Sequence, residues 1–344
     1  MGGTPPQRIL IATDAWRPQV NGVVRTMETT VQVLEQFGHT VAVIEPSQFY
    51  GFPAPIYPEV RLSLPWLTPF LRKVEAFRPD RVHISTEGPI GLALRQLCHQ
   101  RRWRYTTSYH TKFPEYLHHL MRVPVNLSYR FMRWFHNRSA SLMVATPSLE
   151  RELLARGFLS PMRRWSRGVD LELFRPMPKT LFDYPRPILL CVGRVSREKN
   201  IEEFLRLKVP GTKVVVGDGP HRQRLERDYP DAKFLGYRTG EALAEVYANA
   251  DVFVFPSRTD TFGLVQVEAL AAGVPVAAYP VIGPIDIITS EKFGSLDEDL
   301  NLAVARALKL GDSAECVRVA HEYTWENCTR QFFENTVPVR RSVL

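Results

Sequence analysis

The sequence predicts an α/β chain of two doubly wound, Rossmann-like domains facing one another across a cleft. Three observations carry that expectation. Short apolar runs alternate with stretches of helical period in both halves of the chain. The pattern stops and restarts around a proline-rich passage at residues 166–187. The 344 residues suffice for two domains, each with its own core.

The elements follow in order. "RILIAT" (Arg8 to Thr13) is a buried strand ending in the polar loop "DAWRPQVNG", after which "VVRTMETTVQVLEQFG" has helical period and stops at Gly38. "HTVAVIEP" and, after a further helix, "PDRVHIST" are the next strands. The passage Ser166 to Pro187 reads as an interdomain linker. Beyond it, "ILLCVGR", "TKVVVGDG", "AKFLGY", "DVFVFPS" and "PVAAYP" are five further strands. Strands alternating with helices form parallel sheets covered on both faces, and ligands bind at the carboxyl ends of such strands.

Composition excludes several classes. With 44% hydrophobic and 23% charged residues the chain is globular, not disordered. Four cysteines, Cys98, Cys191, Cys316 and Cys328, show no C-x-x-C spacing, and no signal-peptide pattern stands ahead of Arg8. A reduced, cytosolic protein without disulfides or a zinc site is therefore expected. The apolar runs fall far short of the ~20 residues of a membrane span. The net charge of +8 is localised: between Arg95 and Arg138 nine Arg and Lys face one acid, Glu115, which leaves 35 basic and 35 acidic residues elsewhere. One anionic partner surface is expected there.

The strand ends carry the motifs. In "GRVSREKN" (Gly193 to Asn200), Arg194 and Lys199 place two cations where a diphosphate would bind. In "SRTDTFGLVQVEALAAG" (Ser257 to Gly273), Asp260 and Glu268 flank the start of a helix. If the eight steps between them were fully helical they would span ~12 Å. Carboxylate pairs that hydrolyse glycosides lie roughly 5 to 9.5 Å apart, so this spacing does not suit that chemistry. It suits an extended nucleotide sugar: sugar at Asp260, diphosphate on the N–H groups of Thr261 to Leu264, ribose at Glu268.

"GRVSREKN", "GDGPHRQRLE", "FLGYRTGEALAEVYANADVFVFPSRTDTFGLVQVEALAAGVPV" and "YTWENCTRQFF" together resemble the C-terminal half of a family 4 retaining glycosyltransferase with the GT-B fold. "DAWRPQVNGVVRT" and "TSYHTKF" are similar to its N-terminal half. The resemblance implies an N-terminal domain over residues 1–168 and a donor domain over 169–327, with a helix from about 328 to 344 crossing back. Arg194 and Lys199 would hold the donor diphosphate and Glu268 the ribose. Asp260, where the family usually has glutamate, would contact the transferred sugar. Thr261, Phe262, Gly263 and Leu264 line the same turn, and the base is expected near Tyr237. Gly22 matches the glycine loop beside the donor, and His110 the histidine beside the reacting sugar. Catalysis would thus fall to His110, Asp260, Arg194 and Lys199, with no dedicated nucleophile, metal or cofactor. "DED" (Asp297 to Asp299) is read as acids opening a helix, and "GDGP" as a turn.

The basic segment also holds nine aromatics. Leu127, Phe131, Trp134 and Phe135 share one helical face with Arg130 and Arg133 beside it, and Arg122 lies just ahead. Such a helix either lies in an anionic membrane interface through Arg122, Arg130, Phe131, Arg133 and Trp134, or packs into the core. A nucleic-acid partner would leave the donor motifs unexplained. The resulting expectation is a peripheral enzyme on the cytoplasmic face of the membrane. It would move a hexose or hexuronic acid, with retention, from a UDP-sugar to a lipid such as diacylglycerol. The alternatives are a GDP-mannose-dependent mannosyltransferase, an enzyme with a soluble or polysaccharide acceptor, a nucleotide-sugar epimerase, or a silent nucleotide-sugar binder.

Overall fold

The computed structural model describes residues 5–53, 61–67 and 70–339. The chain divides into two compact units. Unit 1 holds the residues up to Ser166 together with those from Trp325 onward, and unit 2 is Arg167–Thr324.

Unit 1 is built on a six-stranded parallel sheet of β1 (Arg8–Ala12), β2 (Thr40–Ile44), β3 (Arg81–Ile84), β4 (Thr106–Tyr109), β5 (Ser141–Val144) and β6 (Met162–Arg164), in the order β2-β1-β3-β4-β5-β6. The two-residue period of β1 serves both faces. Leu10 and Ala12 join Val82, Ile84, Leu94 and Phe135 on one side, while Ile9 and Ile11 join Met27, Leu34, Trp165 and Phe332 on the other. Each buried Leu, Ile, Val, Met or Phe among them contributes about 1.5–3 kcal/mol. Helix α1 (Gly22–Gln36) opens where the Asn21 side chain accepts from the N–H groups of Val23 and Val24, and ends before Gly38, whose φ of +86° favours glycine. The helix Trp325–Asn335 returns to this unit and buries Cys328 and Phe332.

Strand β4, "TTSY", has no apolar pattern and was not among the expected strands, yet all four residues are buried. The hydroxyls of the first three are paired inside the unit: Thr106 with His83, Thr107 with Ser139, Ser108 with His110. Pairing removes the penalty that burial of a bare hydroxyl would carry.

Unit 2 repeats the plan with β7 (Ile188–Val192), β8 (Thr212–Val216), β9 (Lys233–Phe234), β10 (Val252–Phe255), β11 (Val276–Ala278) and β12 (Gly294–Leu296). Its order, β9-β8-β7-β10-β11-β12, is all parallel and reverses between β7 and β10, the arrangement of a dinucleotide-binding sheet. The proline-rich passage expected as a linker is, from Arg167 onward, part of this unit. Phe174 packs edge-on against Tyr247 at 5.6 Å. The Asp251 carboxylate draws in Lys179, Arg186 and the N–H of Ile188, each at 2.7 Å.

Candidate functional site

In unit 1 the strand order reverses between β1 and β3, and the loops leaving those strands carry the polar groups. Asp14, absent from the sequence-derived candidates, organises them. Its carboxylate accepts from Thr86 Oγ1 at 2.9 Å and from the N–H groups of Ile90 and Gly91 at 2.9 and 3.3 Å, so it caps α2 (Pro89–Gln100). A Cβ at position 88 would stand 2.4 Å from the Asp14 Cγ, and the glycine there leaves the room.

Burial pushes the Asp14 carboxyl up to about 6 from an ordinary 3.8; Glu87 adds to the rise and the hydrogen bonds oppose it. The folded state therefore holds the proton more tightly than the unfolded chain, and stability contributed below pH 4 is lost as pH rises toward 6. Asp14→Asn is expected to flatten that slope, which denaturant midpoints between pH 4 and 6.5 would measure.

Gly22 is the exposed first residue of α1, after the loop from β1. His110 follows β4, and its Nε2 lies 3.0 Å from Ser85 Oγ and 2.9 Å from Ser108 Oγ. Ser108 in turn meets Nε2 of the buried His83 at 2.9 Å. The structure thus brings His110 and the end of β3 together through hydroxyls.

The basic, aromatic segment divides. It forms α3 (Phe113–Met121) and α4 (Val125–His136). Phe135 does not share an outward face with Leu127 and Trp134: it is fully buried in the core with Tyr129 and Met132, whereas Leu127 and Trp134 are exposed. Nor are all the cations free for an anionic surface, as expected from the sequence. Arg95 donates to the carbonyls of Phe135 and Trp134, Arg133 to that of Arg156, and Lys112 pairs with Glu152 at 2.7 Å. Arg122 and Arg130 are exposed. Between α3 and α4 runs an apolar groove of about 500 Å³ lined by Phe113, Leu117, Leu127, Phe131 and Trp134, with Arg130 at its wall.

In unit 2 the loops leaving β7 and β10 stand side by side where the strand order reverses. Arg194 lies in the first, immediately after β7, and Lys199 closes its short 3₁₀ turn. Lys199 Nζ reaches across to Asp260 Oδ1 in the second loop at 2.6 Å. Burial raises the Asp260 carboxyl, but the Lys199 ammonium and the Ser257 hydroxyl together outweigh it and hold the group below its ordinary value. Among the described residues Asp260 Oδ2 is buried with no hydrogen-bond partner. A buried carboxylate oxygen in that state is poised to accept from a ligand hydroxyl.

Asp260 is not on the helix. Gly263, at φ +84°, turns the chain, and α5 (Leu264–Ala271) begins only after it, so the fully helical spacing to Glu268 does not apply. Thr261 and Phe262 are buried, and Phe262 packs on Tyr323 at 5.8 Å. Glu268, on α5, is buried, and its Oε2 accepts from Tyr247 O–H at 2.9 Å. Tyr247 was not among the sequence-derived candidates; it lies 21 positions from its partner, with no local spacing to signal it.

Tyr237 is exposed just past β9, beside Gly236, whose carbonyl accepts from Gly217 N–H at 2.9 Å. "GDGP" packs backbone on backbone: a Cβ on Gly217 would lie 1.9 Å from the Gly193 carbonyl oxygen. "DED" precedes α6 (Leu300–Leu310), with Asp299 capping it through Asn301 N–H and Asp297 pairing with Arg306 at 2.9 Å.

Comparison with known proteins places this geometry. A family model for glycosyl transferases group 1 matches residues 186–310, and one for glycosyltransferase family 4 matches residues 20–173. The chain is 29% identical over 304 residues to the sulfoquinovosyl transferase SQD2 of Arabidopsis thaliana, covering 80% of this chain and 60% of that longer protein. It is 30% identical over 316 residues to a GDP-mannose-dependent alpha-mannosyltransferase of Mycobacterium tuberculosis, covering 84% and 83%. It is 25% identical over 346 residues to the alpha-monoglucosyldiacylglycerol synthase of Streptococcus pneumoniae, covering 88% and 78%. In fold it matches the sucrose-phosphate synthase of Thermosynechococcus elongatus, with a TM-score of 0.77 at 20% identity over 95% of this chain and 98% of that one. With two Rossmann-like sheets and a relative of this identity along most of its length, the chain belongs to the family 4 glycosyltransferases of GT-B fold.

Proposed function

We propose that this glycosyltransferase moves a hexosyl or hexuronosyl group, with retention and without a metal, from a UDP-sugar to the hydroxyl of a membrane lipid such as diacylglycerol. The observation that carries the reading is the meeting of Lys199 with Asp260 at the reversal point of unit 2, beside Arg194. On this reading Arg194 and Lys199 take the diphosphate, and Asp260 Oδ2 accepts from a hydroxyl of the transferred sugar. Thr261 to Leu264 offer backbone N–H groups, Glu268 takes the ribose and Tyr237 stands beside the base. Gly22 and His110 line the sugar side. The acceptor attacks on the face from which the diphosphate leaves, and the diphosphate takes the acceptor proton. Arg194 and Lys199 stabilise the charge that develops on it.

The similarity to a monoglucosyldiacylglycerol synthase supports the lipid acceptor, and the groove between α3 and α4 fits an acyl chain. Among the described residues no helix is long and apolar enough to cross a membrane. The proposed attachment is peripheral, at the cytoplasmic face, through Arg122, Arg130, Phe131, Arg133 and Trp134, with Arg133 also donating to the Arg156 carbonyl. A cation near an anionic surface contributes about 1 kcal/mol. Arg130→Glu combined with Trp134→Ala is therefore expected to lower sedimentation with anionic vesicles about tenfold or more. Unchanged sedimentation would remove this face from the account.

A second reading is favoured by one observation. The relative covered over 83% of its length is a GDP-mannose-dependent alpha-mannosyltransferase, so mannose transfer from GDP is the competing activity. Turnover of UDP- and GDP-sugars in parallel on lipid vesicles separates the two.

A further inference from the structure

The turn ahead of α5 is closed by a side chain that the donor reading does not use. Gln266, on the first turn of α5 and wholly buried, bends back over the turn. Its Nε2 donates to the Phe262 carbonyl at 2.7 Å, and its backbone N–H donates to the Gly263 carbonyl at 3.0 Å. Chemistry fixes the direction of the side-chain bond, since a backbone carbonyl only accepts and the NH₂ half of the amide must face it. Among the described residues Gln266 Oε1 is buried with no hydrogen-bond partner. Burying that oxygen unpaired costs free energy that a methionine of similar size would not, so packing does not account for an amide at this position. What the amide gains there is its bond to Phe262.

That bond sets the backbone. The Phe262–Gly263 peptide is trans, and the C=O and N–H of a trans peptide point in opposite directions. With the carbonyl turned toward Gln266, the Gly263 N–H is turned away from it. Glycine tolerates either sign of φ, so sterics at Gly263, φ +84°, do not by themselves choose which way the peptide faces. Two close approaches show how tightly the chosen facing is held. A Cβ at position 263 would stand 2.7 Å from Gln266 Nε2, and one at position 283 would stand 2.9 Å from the Phe262 oxygen. The amide lies against Gly263 and the carbonyl against Gly283.

We propose that Gln266 is a positioning residue that locks the Phe262–Gly263 peptide with its N–H facing the donor diphosphate. The lock stands on the geometry of the turn; the identity of the anion rests on the reading of Thr261 to Leu264 as the diphosphate site. Without the amide the peptide is free to turn over, and the Phe262 carbonyl would then present partial negative charge to the anion where the N–H stood.

The experiment uses the full-length protein labelled with ¹³C′-phenylalanine and ¹⁵N-glycine. A carbonyl-to-amide correlation then shows only Phe–Gly pairs, of which the sequence has three: Phe37–Gly38, Phe262–Gly263 and Phe293–Gly294. The signal lost in Phe262→Leu belongs to the peptide of interest. In wild type it is expected to move on addition of UDP or GDP and to stay in place with uridine or guanosine. Gln266→Met keeps the length of the side chain without a donor. It is expected to shift the Phe262 ¹³C′ and Gly263 ¹⁵N resonances before any ligand is added. It should also weaken binding of the preferred nucleoside diphosphate by about tenfold or more, with nucleoside binding unchanged. Gln266→Asn keeps an amide but draws it back by one methylene, and is expected to fall between the two. Wild-type resonances and affinity in both variants overturn the proposal, as does an equal loss for nucleoside and nucleoside diphosphate, the mark of a general packing role. Shifted resonances with undiminished affinity would overturn the role toward the diphosphate. Failure of the diphosphate reading shows instead in wild type, as UDP or GDP binding that leaves the Gly263 signal where it was; the ligand-free shifts in Gln266→Met then decide the lock.

Discussion

Lys199→Ala is expected to lower kcat/KM for the donor by roughly 10²–10³-fold, the usual cost of deleting one preorganised charge-stabilising donor. The size of the effect comes from two tasks met by one ammonium. Lys199 lies 2.6 Å from Asp260 and, on the proposed reading, also faces the diphosphate. Without it burial is opposed only by the Ser257 hydroxyl, so the Asp260 pKa is expected to rise relative to wild type. The acid limb of the pH–rate profile should accordingly shift to higher pH in the variant. Lys199→Arg keeps the charge but changes its shape, so only partial recovery is expected. Rates and pH profile like those of wild type would remove Lys199 from the donor site.

Glu268→Ala should weaken donor binding roughly 10- to 100-fold, the equivalent of one hydrogen bond to a charged group at about 1.5–3 kcal/mol. Acceptor binding should be unaffected. Because Glu268 is buried against Tyr247, the alanine also strands a phenol hydroxyl, and Glu268→Gln is the variant that keeps the shape. Tyr247→Phe removes only the group that orients the carboxylate, and a smaller loss is expected. Donor affinity by calorimetry decides the matter: an unchanged dissociation constant in Glu268→Gln and Glu268→Ala would end the ribose assignment.

What the sequence made legible follows from how each feature is encoded. Strands such as β1 and β7 are continuous apolar runs, because they are buried on both faces, and their position and type could be read directly. Strand β4 could not. Its burial depends on hydroxyl partners that come from β3 and from the segment after α4, far away in the chain. The split of α4 shows the same limit. Phe135 and Trp134 are adjacent aromatics that periodicity treats alike, yet one fills the core and the other is exposed, with the Arg95 guanidinium over its ring.

The Lys199–Asp260 pair was legible as two motifs at successive strand ends, and the sheet order supplied what the motifs lacked, the adjacency of β7 and β10. Asp14 and His83 carried no signal. A lone acid after a strand and a lone histidine within one acquire meaning only through partners 72 to 77 and 23 to 25 positions away.

The measurement that tests the central claim most directly is product formation. Purified protein would be incubated with UDP-glucose, UDP-galactose, UDP-glucuronic acid and GDP-mannose in parallel, on anionic vesicles containing diacylglycerol. Lipids would be read by mass spectrometry and the anomeric configuration by NMR. The account predicts a new glycolipid from a UDP-sugar, its anomeric configuration the same as in the donor. An inverted linkage, a product on soluble sugars with the vesicle lipid untouched, or bound donors that remain intact would contradict it.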